Sequence, residues 1–282
     1  MGTYKNYIFD LYGTLLDIRT DEHSKKLWKI MHDFYNAYGC EWKQKPLRDA
    51  FFLYDAAERQ RLSVLTGVKK PEIRIERVFS RLLFEGAGHH SCSLIIAGSE
   101  LDSLRKQYRV DPEAVLQKVA DSEWAAACAN LFRTASREYV RLYPNTMDTL
   151  KTLKENGCRL YLLSNAQKIF TMPEIEAFGL QDILDKIVIS SDCGMMKPEA
   201  GFLQKLMSEE SLQPEETVMV GNEIESDVAI ALRGGIRSIF LNTFGLKKKV
   251  IDRRISEALR LEKAPAELTP LVIRSGDIGE II

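Results

Sequence analysis

The stretch YIFDLYGTL, residues 7–15, decides how the rest of the chain is interpreted. Residues 7–9 form a short apolar run, which Asp10 and the turn-forming Gly13 bring to an end. Such a run predicts a buried strand that stops at Asp10. Because ligands of open α/β sheets bind beyond the carboxyl ends of the strands, the carboxylate of Asp10 is a candidate functional group.

Short apolar runs of the same kind return only after Pro144, where they alternate with helical patterns. The helical segments are residues 146–155, 199–208 and 226–233, and the apolar runs are residues 160–163, 187–189, 218–220 and 239–241. Short buried strands that alternate with helices predict an α/β fold, with a parallel sheet covered by helices on both faces. The tail after the basic run 247–249 predicts one more helix and an edge strand at residues 271–273.

The long segment between these two parts has a helical pattern throughout. Apolar residues recur at spacings of three and four from Thr20 onward, and the pattern continues over residues 46–62, 71–84 and 111–142. The strand before Asp10 therefore has no partner until residue 160. We expect a mostly α-helical cap domain inserted after the first strand, at residues 19–141, and an α/β core formed by residues 1–18 and 142–282.

Polar residues follow several of the apolar runs, at the positions where the ligands of an open sheet bind. They are Asp10, Ser164, Asn165, Lys197, Asn222, Glu223 and Asp227. Asp10 is a candidate nucleophile that would form a covalent ester, and Lys197 would hold it in place and offset negative charge. The hydroxyl of Ser164 and the amide of Asn165 would hydrogen-bond oxygens of the transferring group.

The same residues include hard oxygen ligands of the kind that Mg²⁺ prefers. Asp10, Asp227 and a carbonyl near Tyr12 would provide the few protein oxygens that this ion uses beside water and substrate oxygens. The sequence thus predicts Mg²⁺ as a cofactor and a small anionic substrate.

Composition and charge exclude several classes of protein. The 282 residues include 39 Lys and Arg and 40 Asp and Glu, a net charge of −1, so binding to nucleic acid is not predicted. No apolar run approaches the roughly 20 residues of a membrane-spanning helix, so no membrane association and a cytoplasmic location are expected. The five cysteines are scattered and form no C-x-x-C pair, which predicts reduced, structural thiols. No oligomeric state is predicted.

Four stretches resemble, in order, the four motifs of the haloacid dehalogenase-like (HAD) hydrolase superfamily: FDLYGTL, LLSNA, KPEAGF and GNEIESD. The resemblance covers residues 5 to about 242, apart from the cap. It implies a Rossmann-like sheet, a helical cap that closes over the site, and hydrolysis through an aspartyl intermediate on Asp10. The leading hypothesis is a Mg²⁺-dependent phosphatase of a small phosphorylated metabolite. It also implies substrate-binding residues, namely Thr14, Ser164, Asn165 and Lys197, and metal-binding residues, namely Asp10, Tyr12, Asn222 or Glu223, and Asp227.

Tyr12 departs from the pattern of the family's phosphatases. These carry a second aspartate at this position as the general acid and base, and a phenol of pKa about 10 is a poor substitute near neutral pH. Tyrosine here resembles the L-2-haloacid dehalogenases, which use no metal, so metal-independent dehalogenation of a 2-haloacid is an alternative. Against it, those enzymes carry a tyrosine where this chain has Leu203, and their fourth motif is not acidic.

Asn222 is a second departure, because the phosphatases often place an aspartate there. Either its amide oxygen or a bound water would serve the metal, or Glu223 takes its place, and both interpretations are open. Together with Tyr12, this residue also motivates a third alternative, a non-catalytic HAD-fold binding protein.

Three further patterns lie in the expected cap. Three arginines recur every four residues and would share one helix face, either solvated or directed at an anionic substrate: Arg133, Arg137 and Arg141. His89 and His90 have two interpretations: they belong to a loop, or one of them supplies the proton that Tyr12 is unsuited to supply. Large aromatic residues on helical faces are usually buried, so the tryptophans are expected in the cap core: Trp28, Trp42 and Trp124.

Overall fold

A computed structural model describes residues 4–88 and 92–282, which leaves His89 and His90 outside the described residues. The chain divides into two units. Unit 1 comprises Met1–Ile18, Val68–Glu72 and Val140–Ile282, and unit 2 comprises Arg19–Gly67 and Ile73–Tyr139. Val68–Glu72, which was expected within the cap, thus belongs to unit 1. The reason is backbone hydrogen bonding, because Glu72 N donates to Gly194 O and Met196 N donates to Lys70 O.

The strands of the described residues are β1 (Asn6–Phe9), β2 (Leu16–Thr20), β3 (Ile95–Ile96), β4 (Ser99–Glu100), β5 (Arg137–Leu142), β6 (Arg159–Ser164), β7 (Lys186–Ile189), β8 (Thr217–Gly221), β9 (Arg237–Leu241) and β10 (Leu271–Ile273). Six of them form one sheet in unit 1, in the order β10-β9-β8-β1-β6-β7. Each pair of neighbours is parallel. The predicted α/β fold and the edge strand β10 are therefore confirmed.

The helices of the described residues are α1 (Lys25–Ala37), α2 (Gln44–Thr66), α3 (Ile75–Glu85), α4 (Leu101–Tyr108), α5 (Pro112–Ala120), α6 (Glu123–Ser136), α7 (Thr146–Glu155), α8 (Lys168–Ala177), α9 (Ser190–Cys193), α10 (Ala200–Glu209), α11 (Ala229–Gly234) and α12 (Lys248–Leu261). A π-helical turn, Ile224–Val228, leads into α11. The predicted helix at residues 146–155 coincides with α7. No helix among the described residues is long and apolar enough to span a membrane.

The sheet is buried on both faces, which explains its continuous apolar strands. Successive side chains of a strand point to opposite faces. On β1, Tyr7 and Phe9 belong to one core cluster and Ile8 to another. Because β1 lies between β6 and β8, the carboxyl ends of these three strands meet at one edge of the sheet. The residues that follow them are therefore brought together.

Unit 2 contains α1 to α6, and its core is aromatic. The ring of Phe51 lies 5.3 Å from that of Trp28 and 5.0 Å from that of Phe132. Trp28 and Trp124 are buried, as expected, whereas Trp42 is only half-buried and donates its indole N–H to Leu82 O.

The expectation of a continuous helix over residues 111–142 is wrong. Asp111 and Ser122 each accept a hydrogen bond from a backbone N–H three residues ahead, so they cap two separate helices, α5 and α6. The chain then becomes extended at Arg137, and β5 pairs with β2. Arg133 therefore lies on a helix, whereas Arg137 and Arg141 lie on a strand, and the proposed arginine face does not exist.

Candidate active site

Asp10, Lys197 and Asp227, which we call the charged cluster, meet at the carboxyl edge of the sheet. Lys197 Nζ donates to Asp10 Oδ1 at 2.6 Å and to Asp227 Oδ1 at 2.7 Å. Their exposed fractions are only 7%, 2% and 1%, respectively. Asp10 follows β1, Asp227 lies in the π-helical turn after β8, and Lys197 lies in the loop between α9 and α10. Three of the motif residues thus form one buried ionic contact.

The charged cluster carries more negative than positive charge, because two carboxylates share one ammonium. Burial raises the pKa of Asp10 from 3.8 to about 6, with the repulsion of Asp227 adding to the effect and the attraction of Lys197 opposing it. Burial alone would lower the pKa of Lys197, but the two carboxylates outweigh it and raise that pKa. Lys197 is therefore held in its charged form, and the excess negative charge falls on the carboxylates.

The loop after β1 packs tightly against Asn222. Thr14 Oγ1 is fully buried and lies 3.3 Å from both Asp10 Oδ2 and Asn222 Oδ1, so its single proton serves one of two acceptors. Gly13 has a φ of +84°, and a Cβ there would lie 2.2 Å from Asn222 Nδ2. Only glycine therefore fits the conformation and the space. Asn222 Nδ2 is buried and has no hydrogen-bond partner within the described residues.

Asn165 links the end of β6 to the loop that carries Lys197. Its Oδ1 accepts from Lys197 N at 2.7 Å, and its Nδ2 donates to Lys197 O at 3.1 Å. These two bonds fix the backbone from which the Lys197 side chain projects. Ser164, the last residue of β6, has a buried hydroxyl with no partner in the described part of the chain. A buried hydroxyl without a partner is costly, so a ligand oxygen at this position would satisfy it.

Glu223 and Asn222, the two alternatives for the fourth motif, occupy different environments. Asn222 is buried, whereas Glu223 is exposed and accepts through Oε2 from Ser226. The backbone N–H of Glu223 donates to Asp227 Oδ2 at 2.9 Å, which closes the π-helical turn around that carboxylate. A Cβ at Gly221 would lie 2.2 Å from Asp227 Oδ2, so the close approach of this side chain also depends on a glycine.

The phenol of Tyr12 forms a second group, the phenol cluster, with Thr171 and Glu174. Tyr12 Oη donates to Glu174 Oε2 at 2.5 Å and lies 3.1 Å from Thr171 Oγ1. Both partners belong to α8 and are almost fully buried. The side chain of Tyr12 therefore contacts this helix, although the residue lies only two positions after Asp10.

The partners of Tyr12 were not predicted, because α8 itself was not predicted. This helix contains Pro173, which disrupts the pattern of a regular helix. The need for a crossover between parallel strands β6 and β7 was the available signal. Three further residues were also not predicted and form a hydrogen-bonded group beside Asn165, in which Ser190 accepts from Ala166 N and the carboxylate of Glu72 accepts from Ser190 and Gln167: Glu72, Gln167 and Ser190.

The charged cluster fits a divalent cation by its chemistry. Among the described residues, no group of three or more His, Cys, Asp and Glu could hold a metal on its own. Mg²⁺ needs less, because it is held in proteins by one or two carboxylates together with water and substrate oxygens. Asp10 and Asp227 supply two buried carboxylates, and their uncompensated charge is the observation that favours a cation here.

Residues 4–235 match the family described as haloacid dehalogenase-like hydrolase. Since the match covers most of the chain, the protein belongs to this family of hydrolases, and the resemblance of the four motifs is confirmed.

Curated relatives share part of the sequence. Over 104 residues the chain is 32% identical to a glyceraldehyde 3-phosphate phosphatase of Methanothermobacter thermautotrophicus. The matched stretch covers 37% of this chain and 46% of the relative. Over 130 residues it is 31% identical to phosphoglycolate phosphatase 1 of Pseudomonas aeruginosa, which covers 45% of this chain and 47% of the relative. The chain thus spans about half the length of these relatives.

Solved structures share the fold along the whole chain. A HAD phosphatase from Thermococcus onnurineus has a TM-score of 0.51 at 16% identity and covers 96% of this chain and 94% of its own. A dehalogenase has a TM-score of 0.50 at 17% identity and covers 100% of this chain and 96% of its own. At these identities the similarity concerns the fold alone.

Proposed function

We propose that the protein is a Mg²⁺-dependent phosphatase that acts on a small phosphorylated metabolite through a covalent intermediate on Asp10. The observation that carries this proposal is the charged cluster, in which two buried carboxylates share one ammonium. Such a site favours an added cation and a substrate whose negative charge that cation offsets. The curated relatives with phosphatase names support the same class of substrate.

In the first step, a carboxylate oxygen of Asp10 attacks phosphorus, the bond to the leaving oxygen breaks, and an aspartyl phosphate forms. Lys197 keeps Asp10 in position and offsets charge. The unpartnered groups, Ser164 Oγ and Asn222 Nδ2, donate to phosphoryl oxygens. In the second step, water adds to phosphorus, and the bond between phosphorus and the carboxylate oxygen of Asp10 breaks, which releases dihydrogen phosphate and the free carboxylate.

Asp10, Asp227 and the Tyr12 carbonyl would hold Mg²⁺. When bound, the ion supplies positive charge that polarises the phosphoryl oxygens. Of the two alternatives in the fourth motif, we favour Asn222 as the residue next to the ion, because it is buried against Thr14 whereas Glu223 is exposed. The exclusion of nucleic acid and the cytoplasmic location remain predictions from the sequence.

Dehalogenation of a 2-haloacid is less well supported. The position of the dehalogenase tyrosine is occupied by Leu203, which is fully buried in the core of unit 1. The hydroxyl of Tyr12, which motivated this alternative, contacts Glu174. A purely binding role is likewise disfavoured, because the charged cluster keeps the nucleophile and its lysine in hydrogen-bonding contact.

Hydrolysis of p-nitrophenyl phosphate tests the proposal, because an aryl leaving group needs little protonation. We expect turnover by the wild type with Mg²⁺, none with EDTA, and a loss of at least about 10³-fold in Asp10→Asn. Asp185→Asn is the matched control, since Asp185 accepts from Leu160 N at the opposite end of β6. Turnover that persists in Asp10→Asn would end the proposal, and release of halide from a 2-haloacid in EDTA would favour the dehalogenase alternative.

A further inference from the structure

Val68–Glu72, which we call the returning segment, belongs to unit 1. In the sequence it comes between α2 and α3, which belong to unit 2. It runs beside the residues that precede Lys197. Glu72 N donates to Gly194 O at 3.1 Å, and Met196 N donates to Lys70 O at 3.2 Å. These backbone contacts place the returning segment against the loop from which the lysine of the charged cluster projects.

Glu72 also contacts the loop that follows β6. Its carboxylate is buried, at 4% exposure, and accepts from Ser190 Oγ at 3.0 Å and from Gln167 Nε2 at 3.0 Å. A buried carboxylate is stable only where donors satisfy it, and it can only accept. The side chain therefore requires both donors to stay in fixed orientations.

Ser190 carries this constraint to the motif residues. Its hydroxyl oxygen accepts from Ala166 N at 2.9 Å, which fixes the residue next to Asn165. The side chain of Asn165 in turn holds both the N–H and the carbonyl of Lys197. Glu72 thus reaches the lysine by two routes, through Ser190 and Asn165 and through the backbone of residues 194–196.

We propose that Glu72 is a positioning residue of the active site, which sets the placement of Asn165 and Lys197 without touching the substrate. The proposal rests on the proposed function for its effect on turnover, but its effect on structure is independent of that function. A small displacement of catalytic groups can cost about 10²-fold in rate. Loss of Glu72 should therefore lower kcat more than it changes KM.

Substitutions at residue 72 distinguish positioning from a need for charge. Glu72→Ala removes both acceptor oxygens, and we expect kcat for p-nitrophenyl phosphate to fall by about 10-fold to 100-fold. Glu72→Gln should restore most of it, because its amide oxygen accepts from Gln167 while its NH₂ donates to Ser190 Oγ. The Ser190 proton can then turn to Ala166 O, which lies 3.1 Å away. Asp185→Ala is the matched control and should leave kcat unchanged.

Amide hydrogen exchange provides a readout that needs no turnover. In Glu72→Ala the amides of Ala166 and Lys197 should exchange at least about tenfold faster, because local opening costs less free energy. In Asp185→Ala the faster amide should be that of Leu160 instead. Unchanged exchange at Ala166 and Lys197 in folded Glu72→Ala would overturn the proposal, even if the wild type hydrolysed no phosphate ester.

Ser190→Ala is a second variant in case Glu72→Ala does not fold, since it changes little volume and breaks the same connection. We expect a similar loss of kcat, and a double variant no slower than the slower single one, because both act along one path. Full activity of folded Ser190→Ala and Glu72→Ala beside an active wild type would overturn the positioning role alone. An inactive wild type would instead contradict the proposed function.

Discussion

The charged cluster and the phenol cluster each include a residue of the stretch after β1, Asp10 in the first and Tyr12 in the second, but their carboxylates have different partners. In the first, the carboxylates of Asp10 and Asp227 share the ammonium of Lys197. In the second, the carboxylate of Glu174 accepts a hydrogen bond from the phenol of Tyr12. The charged cluster has excess negative charge on its carboxylates, which favours binding of a cation and attack on an electrophile. In the phenol cluster, the hydroxyl proton of Tyr12 lies in a hydrogen bond to Glu174. Tyr12 is therefore poorly placed to protonate a leaving group.

The largest expected effect comes from removing the ammonium of Lys197, which the two carboxylates of the charged cluster share. Lys197→Met leaves two carboxylates buried without their ammonium, and we expect it to abolish turnover and to lower the free energy of unfolding by about 3–5 kcal/mol. Urea unfolding and p-nitrophenyl phosphate hydrolysis measure the two effects. Lys154→Met is the control, because the ion pair of Lys154 with Asp185 is partly exposed and should contribute at most about 1 kcal/mol. Equal losses of unfolding free energy in Lys197→Met and Lys154→Met would contradict the expectation that the charged cluster stabilises the fold more than the partly exposed ion pair does.

A second expected effect is a pH dependence that distinguishes Asp10 from asparagine. Because the pKa of Asp10 is raised to about 6 in the fold, the folded state binds a proton that the unfolded chain releases, and the associated stability is lost as pH rises through this value. Without metal, Asp10→Asn should match the wild type near pH 4 and exceed its free energy of unfolding by on the order of 3 kcal/mol near pH 7.

Urea midpoints in EDTA across this pH range measure that difference. Asp185→Asn is the control and should show no gain at neutral pH, because the substitution removes the negative charge that Asp185 places against Lys154. If the difference in unfolding free energy between wild type and Asp10→Asn stays constant with pH, the raised pKa of Asp10 is contradicted.

The smallest effect is expected in the phenol cluster. Tyr12→Phe deprives the buried carboxylate of Glu174 of one donor, so we expect a loss of about 1–3 kcal/mol in the free energy of unfolding. The ratio of kcat for aryl and alkyl phosphates should stay the same. Tyr161→Phe is the control, because the buried hydroxyl of Tyr161 has no partner among the described residues and its removal should cost little. A selective loss of alkyl phosphate hydrolysis in Tyr12→Phe would identify Tyr12 as the acid.

The α/β core could be predicted because its physical signals are local. Apolar runs that end in Asp10 and Ser164 indicate buried strands, and parallel pairing gathers their carboxyl ends at one edge. The strand β5 was not predicted, because Arg133, Arg137 and Arg141 recur every four residues, a spacing that is typical of one helix face. The helix α8 was missed for the opposite reason, since Pro173 interrupts its pattern.

The site was predictable where a side chain acts directly and not where it acts through another. Asp10, Lys197 and Asp227 lie in motifs whose order is visible in the sequence, and the structure brings them into contact. Glu72 lies more than a hundred residues before Lys197 and has no motif. Much of its connection uses backbone hydrogen bonds, which any residue type except proline can donate and which therefore leave no mark in the sequence.

The returning segment also has a consequence for modular exchange of the inserted region. Unit 1 is assembled from three stretches of chain rather than two, because Val68–Glu72 belongs to it. A graft that replaced residues 19–139 as one cassette would remove Glu72 together with the helices of unit 2. Two separate cassettes, 19–67 and 73–139, are the exchangeable pieces, and unit 1 should stay intact only when the five residues between them are kept.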